Sequence, residues 1–171
     1  MKRRRAIKNI IIISSGMALI PSCRPDVSSP VYTNVTLEKG EWDFIEKFTG
    51  ALLPVTNTGV ITPEPPAGFV LTVLNDCYAP SDVQKYLAGL RELQTWLRQK
   101  FSAGFERLNR DQQAETFTWL SQPEGLTESV KYFYSTTKRL VVEHFTSSEY
   151  FLTNVMDWQF APGRFIGCAT M

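Results

Sequence analysis

The chain is short of the residues that do chemistry. Its 171 residues include one histidine and three cysteines. One His and the two cysteines beyond residue 23 cannot furnish an ordinary zinc site unless carboxylates complete it. No Gly-rich dinucleotide fingerprint, phosphate-binding loop, C-x-x-C-H haem attachment pattern or Gly-x-Ser-x-Gly elbow occurs. No apolar run reaches the roughly 20 residues that a membrane-spanning helix needs. No stretch alternates apolar and polar residues as a half-buried strand would, and no internal repeat is evident. These absences weigh against an enzyme without excluding one, because sites are defined by geometry.

Charge of one sign is also missing where a nucleic-acid binder would need it. The net charge of +1 is misleading, because five of the 18 basic groups (Lys2, Arg3, Arg4, Arg5, Lys8) precede Cys23, where no acid occurs. The rest carries 13 basic against 17 acidic groups, near −4. A phosphate-binding surface requires a basic face. Ample apolar material is present: 43% of the residues are hydrophobic, including 11 Phe, 6 Tyr and 4 Trp, enough for one compact core.

Residues 1–23 place a basic cluster first, then an apolar stretch from about Ile10 to Ile20, then the small residues Ser22 and Cys23. That is the layout of a secretory signal. Arg3-Arg4-Arg5-Ala6-Ile7-Lys8 resembles a twin-arginine export signal, which carries proteins already folded; a general secretory signal is the alternative. Ile20-Pro21-Ser22-Cys23 resembles a bacterial lipobox, which implies that Cys23 is acylated and becomes the first mature residue. The alternative is an ordinary signal cut nearby, with Cys23 a bystander. Several acyl chains would hold the protein firmly, at about 0.8 kcal/mol per buried methylene. The expected organisation is an export signal at 1–22, a lipidated Cys and flexible tether at 23–35, and one helical domain at 36–171.

Apolar spacing in that domain is helical. Leu37, Trp42, Ile45, Phe48 and Leu52 predict a helix over about 37–52, with Thr36 as its cap and Pro54 closing it. A long loop rich in Thr, Gly and Pro follows to Gly68. Phe69, Val70, Val73, Leu74 and Cys77 form the stripe of a second helix, from about 66 to 78. Pro80 and Ser81 open a third, to about Phe101. Asn109 and Gln112 resemble a capping box that starts a short helix. The stripe from Leu126 through Val130, Phe133, Thr137, Leu140 and Val141 to His144 gives a long helix to about 145, with a further piece over 147–156 and an irregular tail. The expected fold is all-α: a compact bundle of five to six helices with a long Pro-rich loop.

His144 is the obvious candidate base of a small hydrolase or isomerase, yet it lies on an apolar stripe, where a hydrogen-bonded core or interface histidine is the plainer reading. Asp111, Glu115, Glu124 and Glu128 fall near helix N-termini or on polar faces, where they suit the helix dipole. Cys77 and Cys168 form an even pair in an oxidising compartment. A disulfide between them would close a loop of about 90 residues and contribute on the order of 4–5 kcal/mol. Two separate thiols, with Cys77 buried as a small hydrophobe, are the alternative.

The ordered set of motifs resembles the gluconate 2-dehydrogenase subunit 3 family, the small subunit of membrane-associated flavin dehydrogenases. The resemblance rests on the arginine-rich start, on Leu53-Pro54 followed by a Thr/Gly/Pro loop, and on Asn75-Asp76-Cys77-Tyr78. It continues in Phe145-Thr146-Ser147-Ser148-Glu149, which has one extra Ser, and in Pro162-Gly163-Arg164-Phe165-Ile166-Gly167-Cys168. It implies a chain with no catalytic, cofactor or metal residues of its own. A large partner of the glucose-methanol-choline oxidoreductase type would bind FAD and oxidise a sugar or sugar acid, and a c-type cytochrome could take the electrons. The small subunit would clasp the large one and supply its export signal, on the periplasmic side of a bacterial membrane. Docking is expected around 55–68 and 145–165, with Phe145, Tyr150, Arg164 and Phe165 as contact residues. A stand-alone helical lipoprotein, a scaffold or binding module, is the alternative.

Overall fold

The computed structural model describes residues 32–53, 64–122, 124–156, 158 and 163. Among them lie six α-helices and no strand: α1 (Glu41–Leu52), α2 (Pro66–Cys77), α3 (Pro80–Phe101), α4 (Arg110–Ser121), α5 (Glu128–Thr146) and α6 (Glu149–Asn154). A 3-10 turn, Phe105–Arg107, sits between α3 and α4. The fold is all-α, as the periodicity predicts. Most of the Pro-rich loop and of the tail lie outside the described residues.

Local chemistry explains most boundaries. Pro66 and Pro80 open α2 and α3 at their first positions, where a missing N–H costs nothing. Arg98 and Lys100 occupy the last turn of α3, favourably placed against its dipole. Asn109 and Gln112 make the expected capping box, with bonds of 2.9 and 3.0 Å. Thr127 caps α5 by accepting the Val130 N–H, and Ser148 caps α6 by accepting the Phe151 N–H. Leu53 is extended (φ −84°, ψ 143°), as the residue before Pro54 should be.

Two expectations need correction. The first helix begins at Glu41, not at 37, and Thr36 does not cap it. Gly40 occupies that position with φ +87°, and the Glu38 N–H donates to the Glu41 carboxylate at 2.7 Å. Val35 and Leu37 still pack on the core, but from a non-helical segment. In α2 the buried set is Ala67, Gly68, Val70, Leu71 and Leu74, with Phe69 and Val73 only half-buried and Cys77 exposed. A Cβ on Gly68 would lie 3.0 Å from the Glu64 carboxylate, a contact that a flexible side chain can relieve.

The central pair is α3 against α5. Gly89 lets the backbone of α5 approach so closely that a Cβ there would lie 2.5 Å from the Ser129 carbonyl carbon, nearer still to its oxygen, and 2.8 Å from the Phe133 Cβ. Around this crossing the aromatic core assembles. Phe48 packs within 5.1 Å of Phe105, and 5.3 Å of both Phe117 and Phe133, while Tyr86 lies 4.9 Å from Phe133. Such pairs contribute about 0.5–1.5 kcal/mol each beyond their burial.

Two buried polar side chains, Tyr86 and Glu41, are paired across helices. The Tyr86 hydroxyl, whose pKa burial pushes upward, shares a 2.9 Å hydrogen bond with the Thr137 hydroxyl. Tyr86→Phe is expected to cost about 1 kcal/mol, since Thr137 loses that partner but can turn to a carbonyl of its own helix. A lower urea midpoint at unchanged m-value would show it; an unchanged midpoint would mean the bond contributes nothing. The Glu41 carboxylate, almost fully buried, receives Arg91 Nε at 2.8 Å, and Arg91 also reaches Glu38 at 3.1 Å. The Glu41 hydrogen bond holds the Arg91 guanidinium above its usual pKa. The start of α1 is thereby fixed to the middle of α3.

Candidate partner-docking site

The residues that the sequence offered for chemistry do not converge. His144 is 8% exposed and lies 5.0 Å from the Phe69 ring. Its core position agrees with the stripe, but Nδ1 is buried without a hydrogen-bonding partner, unlike the hydrogen-bonded histidine expected. A base must reach the proton it takes, and Nδ1, buried and unpaired, is poorly placed for that. Asp111, Glu115, Glu124 and Glu128 are all exposed. Glu115 pairs with Lys100 at 2.5 Å and Glu128 with Lys131 at 2.9 Å, the latter bond lowering the Glu128 pKa. Among the described residues no group of three or more His, Cys, Asp or Glu is arranged to hold a metal ion. None of the described helices is long and apolar enough to cross a membrane.

Cys77 is exposed and forms no disulfide among the described residues, so the buried-thiol alternative for it is corrected. Cys168, Arg3, Arg4, Cys23, Arg164 and Phe165 lie outside the described residues, as does the loop from 54 to 63. The Asn75-to-Tyr78 element does structural work. Asn75 accepts the Asn34 backbone N–H through its side chain and the Asn34 amide through its carbonyl, both at 2.8 Å. Tyr78 accepts a hydrogen bond from Arg139 of α5. This element therefore ties the residues before α1, the end of α2 and the middle of α5 into one body.

The surface with an unusual character is at the far end of α5 and along α6. Here Val142, Val155, Met156 and Trp158 are exposed by 50, 57, 62 and 49%. Phe145, Tyr150, Phe151 and Leu152 beside them are only half-buried. Phe145 and Tyr150, the two expected contact residues that are described, lie in this region. Two serines build the corner that presents it. Ser147 donates to the His144 carbonyl at 3.2 Å and closes α5. Ser148 donates to the Phe145 carbonyl at 2.6 Å and accepts the Phe151 N–H at 3.2 Å, opening α6. The extra serine in this motif thus adds a separate helix end. The turn brings Phe145 and Phe151 together at 5.4 Å, and the Trp158 N–H donates to the Leu152 carbonyl at 2.8 Å, folding the chain back over α6.

Single exposed apolar residues are ordinary; it is a contiguous exposed apolar patch that marks an interaction surface. Val142, Val155, Met156 and Trp158 were not singled out by sequence. Val142 follows the buried Val141 directly, and only helix phase separates the two. The arrangement can bury apolar area against another protein; it holds no cluster of reactive groups.

A family model described as gluconate 2-dehydrogenase subunit 3 matches residues 39–163, more than half of the chain. No curated protein and no solved structure matches it.

Proposed function

Since the chain belongs to the gluconate 2-dehydrogenase subunit 3 family, we propose that it is the non-catalytic small subunit of an envelope dehydrogenase, gripping a large FAD-dependent partner. The observation that carries this reading is the exposure of the apolar residues Val142, Val155, Met156 and Trp158 at the end of α5 and after α6, with Phe145 half-buried. A protein acting alone would leave that area in water, and burial against a partner gains about 25 cal/mol per Å². The partner, of the glucose-methanol-choline type, would bind FAD and oxidise a sugar or sugar acid, and a c-type cytochrome would accept the electrons. This chain contributes grip and address. Arg3 and Arg4 would direct the folded pair through the twin-arginine route, and acylated Cys23 would hold it on the periplasmic side of the membrane. Cys77, already at the surface, would be open to pairing with Cys168.

The test replaces Arg3 and Arg4 with Lys and follows both proteins by fractionation, with bound flavin as the readout. Both are expected to accumulate inside the cell. A flavoprotein that still reaches the envelope in normal amounts sinks the escort role. Gentle detergent extraction should yield a yellow complex; this chain recovered as a single species without flavoprotein would favour the stand-alone lipoprotein.

A further inference from the structure

The apolar corner carries a reactive atom that the core lacks. The sequence holds four methionines, Met1, Met17, Met156 and Met171. The first two fall in the export signal expected at 1–22, and the fourth ends the chain. Met156 is the one methionine among the described residues, and the buried core contains none. It stands just after α6 with 62% of its surface exposed, in the same short segment as Val155 and Trp158. Its backbone N–H donates to the Phe151 carbonyl at 3.1 Å, and the Val155 N–H donates to the same carbonyl at 3.0 Å, which fixes it against the end of that helix.

A thioether is apolar, yet its sulfur is nucleophilic. A hydroperoxide oxidises it. The sulfur attacks one peroxide oxygen, an S–O bond forms and the O–O bond breaks. The other oxygen leaves as water or an alcohol, taking the proton of the oxygen attacked. Sulfur loses two electrons and the peroxide gains them. The sulfoxide is polar and accepts hydrogen bonds, and a thiol-dependent reductase returns it to the thioether.

Position decides what this does. A sulfoxide in a core disrupts the fold, whereas at Met156 the folded chain keeps it in water. Against an apolar partner surface the same oxygen would be buried without a donor, which weakens association. The reaction must precede docking, because the proposed interface covers Met156. We infer that Met156 is a reversible oxidation site, at which a hydroperoxide bars the unassembled chain from its partner by converting the thioether to the sulfoxide. The inference rests on the docking role proposed for this corner.

Two measurements keep it distinct from that role. The first needs no partner. The full chain in detergent, its thiols capped with N-ethylmaleimide, is treated with hydrogen peroxide beside free N-acetylmethionine amide and followed by peptide mass spectrometry. Met156 should gain one oxygen about as fast as the free compound, with helicity unchanged. A Met156 still unmodified when the free compound is consumed, or a chain that melts as the sulfoxide forms, would overturn the inference. The second follows capture of the flavoprotein that co-purifies with the untreated chain, read by bound flavin. Oxidation should weaken capture about tenfold, the effect of one buried acceptor left unpaired, and a methionine sulfoxide reductase should restore it. Met156→Leu keeps the apolar bulk without the sulfur, so its capture, whatever the starting level, should not change with peroxide. Undiminished capture by the fully oxidised chain, or peroxide-sensitive capture by Met156→Leu, would also overturn it. An untreated chain that captures no flavoprotein removes the docking role and the switch together, and the first measurement tells that case apart.

Discussion

Gly89→Ala is expected to destabilise this protein by about 3 kcal/mol or more, at the top of the usual range for overpacking. The added carbon would fall 2.5 Å from the Ser129 carbonyl carbon and 2.8 Å from the Phe133 Cβ. The obstruction is largely backbone, which cannot swing aside as a side-chain tip can. Relief requires α3 and α5 to separate, and that opens the aromatic core around Phe133. In ordinary helices the same substitution helps, because alanine loses less entropy on folding than glycine. Gly50 of α1 supplies the control: nothing lies within 4 Å of a Cβ built there, so Gly50→Ala should raise stability by about 0.5 kcal/mol. Urea denaturation of the two variants should therefore move in opposite directions. Equal midpoints would mean that the helices do not cross at Gly89.

Val155→Asp combined with Met156→Asp should, on the proposed function, release the FAD-dependent partner while leaving the fold intact. Both side chains are more than half exposed, so helicity and Tm should stay within the small range typical of surface changes. In the complex each charge would be buried against apolar surface. Apolar contacts near the centre of an interface can be worth about 2 kcal/mol or more apiece, so the pair should weaken association by two orders of magnitude or more. A stable interface buries roughly 1,200 Å² or more, so these residues would form its centre and their neighbours its rim. Affinity purification of the doubly substituted chain should recover little flavin. Full recovery would remove this surface from the proposal and move the contact elsewhere.

Sequence was most readable where a signal is local. The bounds of α3 follow from Pro80 at one end and the last apolar repeat at the other. The Asn109–Gln112 box is chemistry contained within four residues, and it formed as written. It was least readable where tertiary contact decides. Leu37 looks like the first turn of a helix and Val35 like part of a tether, yet both pack on the core from a non-helical segment and Gly40 sets the true start. In α2 Val70 and Leu74 face inward as the stripe suggested, but Ala67, Gly68 and Leu71 share that face while Phe69 and Val73 are only half-buried. Exposed apolar residues suffer from the same ambiguity. Phe145 belongs to a motif, whereas Val155 and Met156 have the composition of a core and reveal themselves only by being outside it. Trp96 and Trp119 are far apart in sequence, and nothing local announces that they stack.

The long helix α5 is pinned to its neighbours turn after turn: Ser129 and Phe133 at Gly89, Thr137 at Tyr86, Arg139 at Tyr78, and His144 at Phe69. It therefore works as a stiff strut, and the apolar corner rides on its tip. Loops that order only on contact lose conformational freedom at that moment and bind less tightly for it. A tip carried by a braced strut has already lost that freedom during folding. Recognition there should behave as the meeting of two finished shapes, with fast and simple association kinetics in place of a slow rearrangement after encounter.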